Sequence, residues 1–409
     1  MMALLLLAAL SSGGGTVRRP AVGGTVVWRY AEPVRTASPW AALTFSEWQV
    51  VSLVHEGLYR LTGDGSPDPA LATASPEGDA GGAGPKRFTI RLRDARFHDG
   101  SRLTAPDVAA SFEAVQRGPT AALLDGITWR IADSGAVVIT TLLDAEALAR
   151  RLASPGLVIA RASSPAVGLG AFRLVALTSD GLTLTRHERY HAGLPWLDGV
   201  VGTYATRVVS GAIGVADDTA ASGAHLTFEA LTPLPGFVQV PVPAGESIGV
   251  VLSRSCLLAA ARLVKTRAPR SEIARRLPGT EVAGAGGAAE AGAPGGVRPY
   301  LAVADWLMGP IRDAFAFAEP WPLEPIGPER LLAAVQDGRP HDGVVVPWVA
   351  VVSPAAMARR YGGTYVPLVS RSRRASFSVR LRGTTFTSAG TLDLSRAFLI
   401  PAAPTGVAP

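Results

Sequence analysis

Cysteine is almost absent from this chain of 409 residues: Cys256 stands alone. No disulfide can close within the chain and no cysteine-based zinc centre can be assembled, so the fold has to stand on its core. Such a chain fits an exported protein that folds without crosslinks. Cys256 lies in an apolar stretch, where a buried, inert thiol is expected. Lysine is scarce too: only Lys86 and Lys265 occur among 39 basic residues, and arginine carries nearly all of the positive charge behind the formal net +6. A basic balance can serve nucleic acid or an anionic membrane surface. Here the arginines are scattered, and only Arg371-Ser-Arg373-Arg374 forms a small cluster. With no basic stripe and no recognition motif, nucleic acid is not the expected partner. Long apolar runs are missing as well, since charge, glycine or proline interrupts each one, and none reads as a membrane-spanning helix.

What is present is a globular composition, 48% apolar and 18% charged, in a chain long enough for two or three lobes. Residues 1–15 read as a shortened signal peptide, an apolar core followed by small residues. No basic residue precedes that core, which a start codon placed too late would explain.

The most informative stretch runs from Phe88 to Phe112, FTIRLRDARFHDGSRLTAPDVAASF. Phe88, Ile90 and Leu92 alternate with Thr89, Arg91 and Arg93, the period of a half-buried strand. His98-Asp99-Gly100 supplies a turn in which Gly100 is free to take positive φ. Thr104 stands as a helix N-cap, with Pro106 in the first turn and Asp107 placed for a capping box. Val108, Ser111, Phe112 and Val115 follow at helical spacing. The expectation is strand, tight turn, capped helix.

In these residues the chain resembles the extracytoplasmic solute-binding proteins of peptide and nickel ABC importers (bacterial solute-binding protein family 5), whose members carry Phe-His-Asp-Gly, then Leu-Thr-Ala-x-Asp-Val and a helix opening Ser-Phe. The likeness continues in VHEGLYRLTGDGSPDPALA, in VGLGAFRLVAL, where Gly168 and Gly170 hold the family's glycine places, and in Tyr190, Gly193, Pro195, Leu197 and Asp198. It runs from residue 24 to about 200 and then thins. It implies a type II periplasmic-binding α/β fold, with a first lobe split between 16–235 (small subdomain about 60–160) and 341–409. A reduced second lobe would occupy 236–340, with a Gly/Ala-rich linker at 279–297. The implied function is capture of a small solute outside the cytoplasmic membrane by a monomer, free or membrane-associated, that docks on ABC permease subunits. No lipid-anchoring cysteine follows the apolar core. No catalysis and no cofactor are implied.

Elsewhere the pattern predicts a first strand at 24–30, a helix from Phe45 to Leu58, strands at 127–131 and 136–142, and a helix capped by Asp144. From residue 301 it predicts helix, strand, helix, then a strand ending in Trp348. In peptide-binding relatives, the tryptophan matching Trp348 is followed three residues later by an aspartate that pairs with the ligand's ammonium group. Here that place is Val351. A buried ammonium without a counter-charge costs several kcal/mol, so an uncharged or apolar solute is expected. Trp348 and Val351 are the candidate ligand contacts, joined by Glu32 and Trp40 from the loop after the first strand.

Two other readings compete. A binding domain co-opted for sensing or protein interaction would suit the thin second lobe. A zinc hydrolase would use His187, Glu188 and His191, which spell HExxH. That chemistry needs both imidazoles on one helical face. Yet 181–186 alternates like a strand, and Gly193 and Pro195 follow, so a loop is expected. His98-Asp99 and Gly168-x-Gly170 read as turn chemistry.

Overall fold

The computed structural model describes residues 22–401 except 31, 79–83, 119, 205, 210–211, 216–222, 229–233, 244–245, 254–255, 257–279, 283–299, 305–306, 309–310, 313–321, 327–329, 331–341 and 350–362. Two large sheets organise it. The first has seven strands, in the order Phe172–Leu177, Gly181–Arg186, Gly199–Tyr204, Thr25–Tyr30, Leu226–Phe228, Arg374–Ser378 and Phe237–Pro241. Its central strand, Thr25–Tyr30, runs parallel to both neighbours. The sequence alternates there, so Val26, Trp28 and Tyr30 all point inward and are at most 1% exposed.

Helix α1, Phe45–Val54, packs beside this sheet and is buried along almost its whole length. Thr44 and Glu47 form a capping box at its start. The helix stops four residues short of the expected Leu58. His55 turns extended and Glu56–Gly57 pairs with Val158–Ile159 instead. Tertiary pairing overrides the helical pattern at that point.

The signature stretch folds as its local chemistry requires. The strand is Lys86–Ile90, Gly100 takes φ 88°, and helix α2 is Ala105–Arg117. The Asp107 carboxylate accepts from the Thr104 amide at 2.9 Å and from its hydroxyl at 2.6 Å, while its other oxygen accepts from Arg161. Helix α2 packs on a four-stranded sheet that includes Ile127–Ile131 and Val137–Thr141, while helix α3, Ala145–Leu152, capped by Asp144, packs on the strand pair Tyr59–Leu61 and Pro67–Pro69. This unit has its own core, with Phe97, Val108, Phe112, Ile139 and Leu148 all fully buried.

The second large sheet has six strands, in the order Thr280–Val282, Gly363–Arg371, Glu246–Ser253, Gly343–Val349, Leu301–Ala304 and Leu323–Ile326. The segment opening at 301, expected as a helix, begins as a strand, because Leu301 to Val303 sit between two parallel neighbours and are fully buried. The strands at 343–349 and 363–371 also pair here, so the return to the first sheet falls at Arg374 and not at 341. Register decides this: Glu246 to Leu252 bonds on one side to 343–349 and on the other to 364–371. Among the described residues, no helix is long and apolar enough to cross a membrane.

Candidate functional site

The chain leaves the first sheet after Pro241, enters the second at Glu246, and returns between Arg371 and Arg374. The two crossings touch, with the Val242 amide donating to the Arg373 carbonyl at 2.9 Å. Glu32, two residues beyond the central strand of the first sheet, reaches this point and is 6% exposed. Its Oε1 accepts from Arg371 Nη1 at 3.3 Å and from Arg373 Nη2. Arg371 closes a strand of the second sheet, whereas Arg373 lies immediately before a strand of the first. One carboxylate oxygen therefore holds both ends of the returning connection. The Arg373 guanidinium also lies 4.2 Å over the Phe45 ring at the start of α1.

Electrostatics separate two buried acids here. Burial pushes the Glu32 carboxyl up, but the Arg373 and Arg371 guanidiniums outweigh it and hold the group below its ordinary value. Glu47 has no such cation. Burial raises it, only partly countered by the amides of Leu43, Thr44 and Arg35, and the Glu32 charge raises it further.

Trp348 belongs to the same end of the second sheet. Glu246 pairs with Val349 on one side and Arg371 on the other, and Ser247 pairs with Trp348 and Ser370. The Trp348 backbone is thus one residue inside the row that ends at Arg371, and two strand spacings away, roughly 10 Å. Val351 lies outside the described residues. Trp40 goes elsewhere, packing on the core of the four-stranded unit and lining a shallow recess with Ala110, Glu113 and Arg117 on α2. The structure therefore brings Glu32 and the Trp348 backbone to one crossing and leaves Trp40 apart from them.

The HExxH residues follow a strand and form turns. His187 Nδ1 lies 3.2 Å from the Gly170 carbonyl, while His191 Nε2 bonds to Glu56, whose other oxygen accepts from the Tyr190 hydroxyl at 3.1 Å. The two imidazoles serve different partners and share no helical face, so the geometry of a zinc protease is not built. Burial and the Glu56 charge raise the Tyr190 phenol well above its ordinary value. Cys256 is buried.

Sequence reasoning missed Arg371 and Arg373 as members of the site. The available signal was an arginine pair two residues apart between runs that alternate like strands, YVPLVS and ASFSV. Glu56 was missed as well, although it lies within the VHEGLY stretch.

Two large sheets joined by two adjacent crossings, with a smaller α/β unit inserted after α1, define a type II periplasmic-binding-protein fold. Solved structures agree with it over nearly the whole chain. The oligopeptide-binding protein AppA from Bacillus subtilis in complex with a nonapeptide matches at TM-score 0.67 and 11% identity, over 94% of this chain and 100% of that one. DppA from Helicobacter pylori in complex with the peptide STSA matches at 0.66 and 14%, over 93% and 98%. NikA from Staphylococcus aureus in complex with Ni(L-His)2 matches at 0.64 and 12%, over 93% and 100%. Residues 66–224 match the profile of bacterial extracellular solute-binding proteins, family 5, middle region. Over those residues the chain is similar to this family of solute-binding proteins.

Proposed function

We propose that this protein captures a small solute between its two sheets, outside the cytoplasmic membrane, and delivers it to the permease of an ABC-type importer. The units about the two sheets act as lobes that close by bending at the crossings. The solute is peptide-like or apolar and lacks a free ammonium group.

The observation that carries the ligand class is the engagement of Glu32. This acid, expected to face the solute, is buried against Arg371 and Arg373. Its charge is already answered, so it offers little to an incoming ammonium. Val351 stands where peptide-binding relatives have an aspartate. A cationic amine entering a site without a counter-charge meets a desolvation cost of several kcal/mol.

Thermal unfolding with a matched panel of ligands tests this reading. A ligand that binds only the folded state adds about 2.7 kcal/mol of stability at a hundred times its Kd. N-acetylated apolar peptides or neutral solutes are expected to raise the melting temperature, and their free-amine counterparts are not. Stabilisation by free-amine peptides alone would overturn the assignment of solute class.

A further inference from the structure

The returning crossing is two residues long: Arg371 ends a strand of one sheet, Ser372 and Arg373 intervene, and Arg374 opens a strand of the other. Any rotation between the sheets must be absorbed there and in the other connection, which leaves the first sheet after Pro241 and enters the second at Glu246. Arg373 is fixed to the first sheet's side three ways: its carbonyl accepts from Val242, its guanidinium stacks on Phe45, and it bonds Glu32. Arg371 bonds the same Glu32 oxygen but belongs to the second sheet. Arg373 therefore anchors the carboxylate, and Arg371 is the partner that would move when the sheets turn. All three side chains are at most 7% exposed, so water screens the attraction weakly.

We infer that Glu32, gripping Arg371 across the crossing while anchored by Arg373, fixes the angle between the two sheets and so sets how readily the protein closes on its solute. Glu32 is then a positioning residue and not a solute contact. This rests on the solute-capture reading, but the device can be tested without any solute.

Spin labels at Val175→Cys, on the outer strand of the first sheet, and Pro325→Cys, on the outer strand of the second, report the intersheet distance. They are introduced in a Cys256→Ser background. Val175 is 57% exposed and Pro325 is exposed. Pulsed electron–electron resonance on the solute-free protein should give one narrow distance distribution. Glu32→Gln and Arg371→Gln should each broaden it, at unchanged circular dichroism. Arg371→Lys, which keeps the charge but loses the planar fork, should fall between, and it decides alone if both truncations fail to fold. Distributions as narrow as the parent's in every folded variant would overturn the inference. Broadening in a protein that no ligand of the thermal panel stabilises would count against solute capture and leave the angle-setting role standing. A panel ligand that binds while the distributions stay narrow would do the reverse.

Discussion

Gly168→Ala should cost about 3 kcal/mol or more of folding stability, the upper range for overpacking a core. A Cβ on Gly168 would sit 2.1 Å from the Val54 carbonyl oxygen and 2.4 Å from His55 Nδ1. Two residues on, a Cβ on Gly170 would lie 2.6 Å from the Leu53 carbonyl oxygen. The obstacles are mostly backbone at the C-terminal end of α1, which cannot rotate aside. The segment is also tied down. The Gly170 amide donates to the Val54 carbonyl at 2.9 Å, the Gly168 amide donates to His98 Nδ1 at 3.3 Å, and His98 Nε2 donates to the Gly170 carbonyl at 3.1 Å. The chain thus passes from the four-stranded unit back to the first sheet wedged between α1 and His98. Urea unfolding measures the loss, with Gly84→Ala as control because its Cβ would meet nothing within 4 Å. A loss below about 1 kcal/mol, the centre of ordinary point mutations, would show that α1 yields and that the close approach does not constrain the fold.

The same junction predicts loss of stability in mild acid. Burial pushes His55 down to about 4, only partly opposed by the Ala37 carbonyl it faces. Burial pushes His98 down to about 3, and the neighbouring His187, His55 and Arg173 charges add to this. His187 and His225 are lowered too, again chiefly by burial. Histidines in the unfolded chain take protons below about pH 6.5, whereas in the folded chain these four take them at lower pH, His55 and His98 far lower. The unfolded state then binds more protons, and stability falls as pH drops from about 6.5 toward 4. His55 alone contributes about 3 kcal/mol across that window. Glu47 opposes them, since its raised value favours the folded state as it protonates. It is one group against several, so the histidines win. Urea midpoints should fall steadily between pH 7 and 5, above the range where most carboxylates titrate, and His55→Gln should flatten the slope. A flat profile in the native protein would mean that these imidazoles reach water.

Much of the first half of the fold was legible because its determinants are local. The alternation at 86–90, the glycine turn at 100, the Thr104 cap with Asp107 and the strand before His187 each lie within a few residues of their cause. What escaped reading depends on sheet order. Glu32 and Arg371 meet across 339 residues, and neither side's local pattern points to the other. Glu56 finds His191 across 135. Leu301–Ala304 looked helical because an apolar run takes its character from its neighbours, and here two parallel strands claim it. In the sequence Gly168 and Gly170 have the look of turn residues, while their actual task is to let one backbone pass close to another. The glycines were visible in the sequence, but the backbone they pass was not.

Native mass spectrometry of the protein incubated with a cell extract puts the central claim to its most direct test. The account predicts one solute retained per chain, held non-covalently, released on unfolding, chemically unaltered and lacking a free primary amine. A chain that retains nothing, or that releases a product differing from the molecule supplied, would contradict it.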